Sequence, residues 1–283
     1  MKNLLTIDVE DWFCVEAFSS DFPIESWDKQ KTRILSNIVR TAEILDDYKV
    51  KATFFVLGWI ADKFPEIVHF LHTNGHEIGS HSYSHKLVYK MTPEEFKTDT
   101  LRSIEAILKG GEADIIGYRA PSFSIRPEDK WPYEILADCG FKYDSSVFPV
   151  RHDIYGSPNS PRFAHTVKID QSRTMLEIPP STIRLMGHNI GIGGGGYLRL
   201  FPYWFTEWAI RNLNKSGFPA NVYFHPWEID PNQPRHKAGT KSRVRHYTNL
   251  RTTEIKLRRL LQKFNFAPVR EVFNLEDKTQ VKE

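Results

Sequence analysis

The stretch LLTIDVED, residues 4–11, decides the fold of this chain. It begins as a largely apolar run and then presents three carboxylates, Asp8, Glu10 and Asp11. A short apolar run that breaks into carboxylates is typical of a buried strand whose C-terminal end opens into a polar site. In barrels of parallel strands, that end carries the chemistry. The stretch therefore indicates an α/β fold with a candidate site near the start of the chain.

The three carboxylates of this stretch need a compensating charge. Ionised groups so close in sequence repel one another, and a metal ion or a nearby arginine would relieve the repulsion. The alternative is a solvated acidic turn that caps the next helix.

A second polar motif, HSYSH at residues 81–85, places two histidines four positions apart. Neutral imidazole is the commonest metal ligand, and a turn between His81 and His85 can direct both rings at one ion. The alternative is two unrelated surface histidines, because the chain contains 11. Two further motifs downstream, RAPSF at residues 119–123 and VYFH at residues 222–225, favour a shared site.

Helices and strands alternate along most of the chain. The predicted strands cover residues 4–8, 51–57, 77–80, 115–118, 220–224 and 267–272. The predicted helices cover residues 31–48, 65–74, 93–108, 128–139, 203–216 and 252–264. Every candidate site residue falls at or just after the end of a predicted strand, and such ends cluster in space in a (β/α) barrel.

The domain organisation is simple. We expect one domain over residues 1–275, with a loop insertion near residues 150–173 and a polar tail at residues 276–283. The insertion is predicted because prolines and glycines interrupt the alternation there. The basic run at residues 241–251 is expected to be a solvated loop.

The composition limits the classes of function. A chain of 283 residues can form one large domain, and a net charge of +3 predicts neither nucleic-acid nor polybasic membrane binding. Cys14 and Cys139 are too few for a disulfide framework. Neither a signal peptide nor a transmembrane segment is recognised, so a cytoplasmic protein is expected. The sequence does not indicate an oligomeric state.

The four motifs, in this order, resemble the successive motifs of the polysaccharide deacetylases, the NodB-like carbohydrate esterases. The resemblance covers residues 4–225. The segment DVEDWF at residues 8–13, the glycine run 193–196 and RHY at residues 245–247 are similar to a bacterial subgroup associated with exopolysaccharide biosynthesis. The resemblance implies a distorted (β/α) barrel in a single domain. It also implies a metal-dependent hydrolase that removes an N-acetyl group from a sugar of a polysaccharide or its precursor.

The resemblance assigns a metal site to two of the motifs. His81 and His85 are expected to bind a divalent ion, with Zn²⁺ as the expected ion. Two imidazoles and a carboxylate, with positions left open for water and substrate, suit such an ion. Asp11 is expected to be the third ligand, and Glu10 is the alternative carboxylate.

The resemblance also assigns catalytic roles. Amide hydrolysis needs an activated water, a stabilised oxyanion and a proton for the departing amine. Asp8 is expected to be the general base, Arg119 to orient it, and His225 to be the general acid. Their alternatives are a structural carboxylate, a surface arginine and a core histidine. The Asp-x-x-Trp motif expected to tune the acid is not found, and the candidates to replace it are Glu177, Asp144 and Glu228.

The expected partner is an N-acetylated sugar or polysaccharide. The expected substrate-binding residues are Pro121, Gly194, Gly195, Tyr197 and Trp227. The glycine run either lets the backbone approach a sugar closely or forms a flexible loop, and the sequence does not separate the two.

Two other functions remain open at this point. One is hydrolysis of a small linear or cyclic amide, as in allantoinase-like relatives. The other is a carbohydrate-binding protein with a vestigial site. The intact set of Asp8, His81, His85, Arg119 and His225 argues against the second.

Overall fold

The computed structural model of the protein describes residues 1–152, 155–237 and 239–275. The predicted polar tail at residues 276–283 therefore lies outside the described residues. Within the described ranges, the strands are β1 (Lys2–Val9), β2 (Thr53–Val56), β3 (Glu77–Ser80), β4 (Gly117–Tyr118), β5 (Tyr143–Asp144), β6 (His165–Lys168), β7 (Thr174–Glu177), β8 (Thr182–Leu185), β9 (His188–Gly191), β10 (Asn221–Phe224) and β11 (Asn265–Ala267). The α-helices are α1 (Ile34–Asp47), α2 (Gly58–Lys63), α3 (Pro65–Thr73), α4 (Pro93–Leu108), α5 (Trp131–Asp138), α6 (Gly195–Leu200), α7 (Tyr203–Lys215), α8 (Thr240–Tyr247), α9 (Leu250–Lys263) and α10 (Val269–Val272). Short 3-10 helices lie at Glu16–Phe18, Ile24–Lys29, Val88–Lys90, Pro121–Phe123 and Pro226–Ile229.

A mostly parallel sheet forms the centre of the molecule. Its strands are hydrogen-bonded in the order β10-β1-β2-β3-β4-β5-β7-β6, and β11 pairs with the first residues of β1. Among the described strands of this sheet, β6 alone runs antiparallel to its neighbour, β7. Helices cover the sheet, and the expected α/β fold is confirmed.

Irregular segments connect β7, near one end of the sheet, with β10 at the other end. The side chain of Asn221 in β10 donates to the carbonyl of Ile178, and its backbone N–H donates to the hydroxyl of Ser181. The hydroxyl of Ser145, just after β5, also donates to the Ile178 carbonyl. The N–H of Tyr223 donates to Gly193. The sheet therefore curves into an incomplete barrel.

The alternation of side chains along β1 positions the site. Leu5, Ile7 and Val9 lie in the main apolar cluster together with residues of α1, α3, α7 and α9. Thr6 and Asp8 point to the opposite face, because successive side chains of a strand alternate, and both contact Arg119. Burial on both faces is typical of parallel sheets covered by helices. It leaves the polar side chains of β1 inside the barrel.

Several predicted elements agree with the structure at their boundaries. The helix predicted from residue 93 begins as α4 with a capping box, in which Thr92 and Glu95 exchange side-chain to backbone hydrogen bonds. Proline at its first position suits a helix start, because the missing N–H would have no partner there.

Three predicted elements are wrong. The strand predicted at residues 267–272 ends at Ala267, and Val269–Val272 is a helix that begins directly after Pro268. The predicted insertion near residues 150–173 contains the strand β6, which pairs with β7. The basic run predicted to be a loop begins inside the helix Thr240–Tyr247, and its last residues open α9.

Membrane insertion through a helix has no support in the fold. Within the described ranges, none of the helices combines the length and the apolar character that crossing a bilayer requires.

Candidate active site

Three buried side chains converge at the C-terminal ends of β1 and β3. The Oε1 atom of Glu10 lies 2.9 Å from Nε2 of His81 and 3.0 Å from Nε2 of His85. All three side chains are almost fully buried. One carboxylate oxygen and two imidazole nitrogens therefore face a single point.

The tautomer of His81 is set by its second nitrogen. Nδ1 lies 2.7 Å from the backbone carbonyl of Arg119, which can only accept, so Nδ1 carries the hydrogen. In the neutral ring, the lone pair of Nε2 then faces an oxygen of Glu10, and two acceptors repel each other unless a cation lies between them. Burial alone would lower the pKa of His85, but the Glu10 carboxylate outweighs it and raises the pKa overall. A cation between the three side chains would relieve the repulsion between Nε2 of His81 and Glu10.

The loop between the two histidines is held in a strained shape. Ser82 and His85 have positive φ angles of 60° and 56°, in the left-handed region that non-glycine residues rarely adopt. Asp99 of α4 accepts hydrogen bonds from the N–H groups of Tyr83 and Ser84 and from the Ser84 hydroxyl. Strain of this kind persists only where surrounding contacts impose it. Here it directs His85 at Glu10.

Asp11 does not join this cluster, and the predicted ligand set is corrected accordingly. One oxygen of its carboxylate accepts from the hydroxyl of Thr32 and from the N–H groups of Arg33 and Ile34. The other oxygen accepts from the N–H of Trp12. The carboxylate therefore caps the start of α1. Glu10, the alternative carboxylate, occupies the place that was predicted for Asp11.

A buried ion pair lies beside the cluster. Nη1 of Arg119 donates to Oδ1 of Asp8 at 2.7 Å, and both side chains are almost fully buried. The guanidinium also donates to the hydroxyls of Thr6 and Ser145. Arg119 is therefore not a surface arginine, and its contacts leave Oδ2 of Asp8 on the side of His225.

His225 follows β10 and faces both carboxylates. Its Nε2 lies 3.8 Å from Oε1 of Glu10 and 3.9 Å from Oδ2 of Asp8. Its Nδ1 lies 3.6 Å from Oε2 of Glu228. Burial alone would lower the pKa of His225, but Glu10, Glu228 and Asp8 raise it to about 9.

Arg199 stabilises the charge of Glu228. Burial alone would raise the pKa of Glu228, but Arg199 and His225 lower it to about 2. Nε of Arg199 donates to Oε1 of Glu228 at 2.9 Å, and its other nitrogens donate to carbonyls at the end of α8 and just beyond, those of Arg245, His246 and Thr248. Of the three candidates to tune His225, Glu228 alone contacts it among the described residues.

Asp144 and Glu177 contact each other instead of His225. They lie opposite one another on β5 and β7. Burial raises the pKa of Asp144 to about 6, and it raises the pKa of Glu177 well above its ordinary value, with the charge of Asp144 adding to the effect. They form a buried acid pair with no part in the cavity.

A cavity of about 360 Å³ opens onto these groups. Its wall includes two of the three candidate catalytic residues, Asp8 and His225. Residues from distant segments complete it, among them Glu10, Glu16, His85, Ser122, Phe123, Tyr155, Gly195, Gly196, Tyr197, Arg199, Leu200, Tyr223, Trp227, Glu228, Arg245 and His246. Volumes of this order are typical of small-molecule sites. The predicted substrate residues Gly195, Tyr197 and Trp227 lie on this wall.

Pro121 and Gly194 do not lie on the cavity wall, and these two predictions are corrected. Pro121 is buried in a 3-10 helix. A Cβ on Gly194 would overlap the ring of Tyr223, so the glycine allows close packing within the protein. At Gly194, therefore, the close approach of the backbone is to a tyrosine ring of the protein itself.

Two positioning residues were missed by the sequence analysis. Arg199 is the one charged residue of α6, and Asp99 is a buried acid among the buried residues of α4. A charge on the apolar face of a helix is the signal that would have indicated both.

Comparisons with known proteins cover nearly the whole chain in two parts. Residues 26–143 match the family Polysaccharide deacetylase. Residues 145–274 match a domain of unknown function, DUF3473.

Two curated relatives share part of the sequence. Over 100 residues the chain is 43% identical to a peptidoglycan-N-acetylglucosamine deacetylase of Bacillus cereus, which covers 34% of this chain and 32% of that protein. Over 95 residues it is 31% identical to a chitooligosaccharide deacetylase of Bradyrhizobium sp., which covers 34% of this chain and 41% of the relative. The chain thus spans well under two thirds of either relative.

The fold has a counterpart among solved structures. A protein of Mycobacterium smegmatis, provisionally named a polysaccharide deacetylase, superposes with a TM-score of 0.65 at 19% identity. The superposition covers 96% of this chain and 88% of the other. At this identity the likeness concerns the fold alone.

Proposed function

We propose that the chain is a metal-dependent hydrolase that removes an N-acetyl group from a sugar of a polysaccharide or its precursor, on the ground that residues 26–143 match the family Polysaccharide deacetylase. One observation carries the proposal. Glu10 Oε1 lies within 3.0 Å of two imidazole nitrogens at a cavity that also contains Asp8 and His225.

The donor set fits a divalent cation, with zinc as the expected ion. Ligand atoms about 2.0–2.2 Å from a tetrahedral zinc lie about 3.4 Å apart. The Glu10 oxygen lies 2.9 and 3.0 Å from the two imidazole nitrogens, and all three ligand atoms lie within 4.8 Å of one another. Glu10, His81 and His85 would hold the ion and leave positions open. When bound, the ion supplies Lewis acidity toward water and an amide carbonyl.

A second group of potential ligands shares Glu10. It consists of Asp8, Glu10 and His225. We favour the first group because the atoms of His225 lie 3.8–3.9 Å from the carboxylates, and a ring whose pKa is raised to about 9 is protonated at neutral pH. A protonated imidazole has no lone pair to offer.

Asp8 is the proposed general base. Its Oδ1 is held by Arg119, and its Oδ2 is left to take a proton from the attacking water. The planar guanidinium also donates to the Thr6 hydroxyl and to the hydroxyl and carbonyl of Ser145, so it orients the carboxylate as well as pairing with it.

His225 is the proposed general acid. Its Nε2 faces the same region as Asp8 and Glu10, and the adjacent carboxylates keep it protonated until the amine departs. The carboxylate of Glu228 faces the other ring nitrogen, Nδ1, and stabilises the protonated ring. Arg199 pairs with Glu228 and keeps it ionised. Base and acid therefore belong to different strands, with the proposed metal ligands between them in the chain.

The association with exopolysaccharide biosynthesis is part of the proposal. It is supported by the glycine run and by the RHY segment, since Gly195, Gly196, Arg245 and His246 all line the same cavity.

Acetate release is the direct test. Purified protein is incubated with N-acetylglucosamine oligomers, and acetate is measured before and after treatment with a chelator and after readdition of zinc. We expect release that the chelator abolishes and zinc restores, with about one divalent ion per chain in the untreated protein. Glu254→Gln, in an exposed ion pair on α9, is the control that should behave as wild type.

Two outcomes would contradict the proposal. Hydrolysis of allantoin without acetate release from any N-acetylated sugar would indicate a small-amide hydrolase. Oligomer binding without hydrolysis, in protein that contains the metal, would indicate a carbohydrate-binding protein.

A further inference from the structure

An exposed apolar surface lies on the outer side of α6 and α7. Trp204 is 67% exposed, Leu200 is 48% exposed and Trp208 is 40% exposed. Contiguous apolar surface of this kind marks an interaction site more often than isolated exposed residues do. We call Leu200, Phe201, Trp204, Phe205 and Trp208 the aromatic ridge.

Phe205 packs against the main apolar cluster, but the two tryptophans of the aromatic ridge lie outside the apolar clusters of the described residues. The buried residues of α7 are Thr206, Ala209, Ile210 and Leu213, which face inward. Trp204 and Trp208 lie four positions apart, so they share one face of the helix. Folding alone therefore gives no reason for two tryptophans on the outer face.

A continuous series of ring contacts joins the ridge to the cavity. Tyr197, on the cavity wall, has its ring centroid 6.1 Å from that of Phe201. Phe201 and Phe205 are 4.7 Å apart, and Phe205 and Trp208 are 5.7 Å apart. Leu200 belongs to both surfaces, because it lines the cavity and is half exposed. The ridge therefore extends the cavity wall toward the solvent.

The corner between α6 and α7 is anchored from behind. Nζ of Lys256 donates to the carbonyls of Leu198, Arg199 and Phe201 at 3.1, 2.7 and 2.8 Å. These carbonyls end α6, and a cation there is favourable. The ridge is thus a fixed surface whose position relative to the cavity is set.

We propose that the aromatic ridge binds the saccharide chain beyond the sugar unit held in the cavity. The C–H face of a pyranose is apolar and its rim is polar, and an indole ring offers a flat apolar face with an N–H donor at its edge. Rings in a row that starts at a catalytic cavity suit consecutive sugars of one chain. The inference rests on the proposed function, since it assigns the substrate as an extended N-acetylated saccharide.

The test compares short and long probes on the metal-loaded protein. Dimers and hexamers of N-acetylglucosamine are used with wild type, Trp204→Ala and Trp208→Ala. For each tryptophan variant, kcat/KM on the hexamer should fall by about three- to tenfold, with the dimer unchanged. Ile255→Ala is the matched control, because Ile255 is 53% exposed and is not one of the ridge residues.

Calorimetric binding to the Asp8→Asn protein separates the two proposals. Tighter binding of the hexamer than of the dimer, weakened by Trp204→Ala, supports the ridge even if no acetate is released, in which case the proposed function alone fails. Equal binding of both oligomers by the Asp8→Asn protein with its tryptophans intact overturns the ridge as a saccharide site. Two further results would also overturn it. One is binding of the protein to vesicles, and the other is a dimer of the protein in solution, in each case removed by Trp204→Ala while hexamer binding is unchanged.

Discussion

Two regions of the molecule supply the candidate site with side chains that differ in burial and in the closeness of their partners. The first region is the ends of β1, β3 and β4, and the second is the segment around β10. His81 and Arg119 are 1% and 0% exposed, and each is fixed by hydrogen bonds to backbone or to buried side chains. The side chain of His225 is 16% exposed, and its partners lie 3.6–3.9 Å away. Ligand atoms must be pre-positioned within a few tenths of an ångström, whereas a proton donor must follow a moving leaving group. Under the proposed function, the first region suits the metal ligands and the second suits the proton donor.

The adjacent carboxylates of the first region give the sharpest test of this comparison. We expect Glu10→Gln to abolish both metal binding and activity, because it removes the negative charge of the carboxylate that faces both imidazoles. Asp11→Asn should keep the metal but lower the free energy of unfolding by about 1–2 kcal/mol, because it weakens the cap of α1. Metal content by mass spectrometry and urea unfolding measure the two effects.

The opposite result would restore the original assignment. If Asp11→Asn lost the metal while Glu10→Gln kept it, Asp11 would be the ligand and the geometry described here would not be that of the loaded protein.

The proton-handling groups should give the next largest effect. Asp8→Asn and His225→Ala are each expected to retain the metal and to lower kcat by about 10²–10⁴-fold, as general acid–base groups do. Initial rates of acetate release, measured at matched metal content, check this. Near wild-type kcat in Asp8→Asn would place the base elsewhere. Near wild-type kcat in His225→Ala would remove the distinction between the two regions.

Glu228→Gln should act on the second region alone. Removing a carboxylate that raises the pKa of His225 lowers that pKa, so the alkaline limb of the kcat profile should move to lower pH. The loss of kcat at its optimum should stay below about 10²-fold, because the acid itself is still present. The measurement is the pH profile of acetate release, with Glu254→Gln as control. An unchanged alkaline limb would show that Glu228 does not raise the pKa of His225.

The buried acid pair on β5 and β7 should give the smallest effect, which is an effect on stability. Asp144 and Glu177 have folded-state pKa values raised above their ordinary 3.8 and 4.5, by burial first. The stability they contribute is therefore fully present below about pH 4, and it is lost as the pH rises through 6 and beyond. We expect Glu177→Gln to be more stable than wild type at pH 8 by on the order of 1 kcal/mol.

Urea unfolding at pH 5 and pH 8 checks this difference. The gap between variant and wild type should widen with pH. Parallel pH dependence in the two proteins would mean that the pair does not titrate in this range.

Much of the fold was accessible from local patterns. The capping box at Thr92 and Glu95 predicted where α4 begins, because both partners of a capping box lie within one turn. The strand at residues 267–272 was wrong because Pro268 starts a helix there, and an apolar run so short does not distinguish a strand from a helix. The strand β6 was missed because the prolines and glycine at residues 149–161, just before it, predicted a loop over the whole region.

The sequence by itself determined which residues stand at the strand ends, because period-two burial and motif order are local properties of the chain. It placed Asp8, His81, Arg119 and His225 there, and the structure brings them together around Asp8 and Glu10, with Asp8 and His225 on the cavity wall. Only the tertiary structure shows that Glu10, and not Asp11, faces the two histidines. The two acids have the same chemistry, but the face each occupies depends on where α1 begins and where β3 ends. Arg199 and Glu228 were likewise joined only by folding, since they lie 29 residues apart and a pairing over that distance leaves no local pattern.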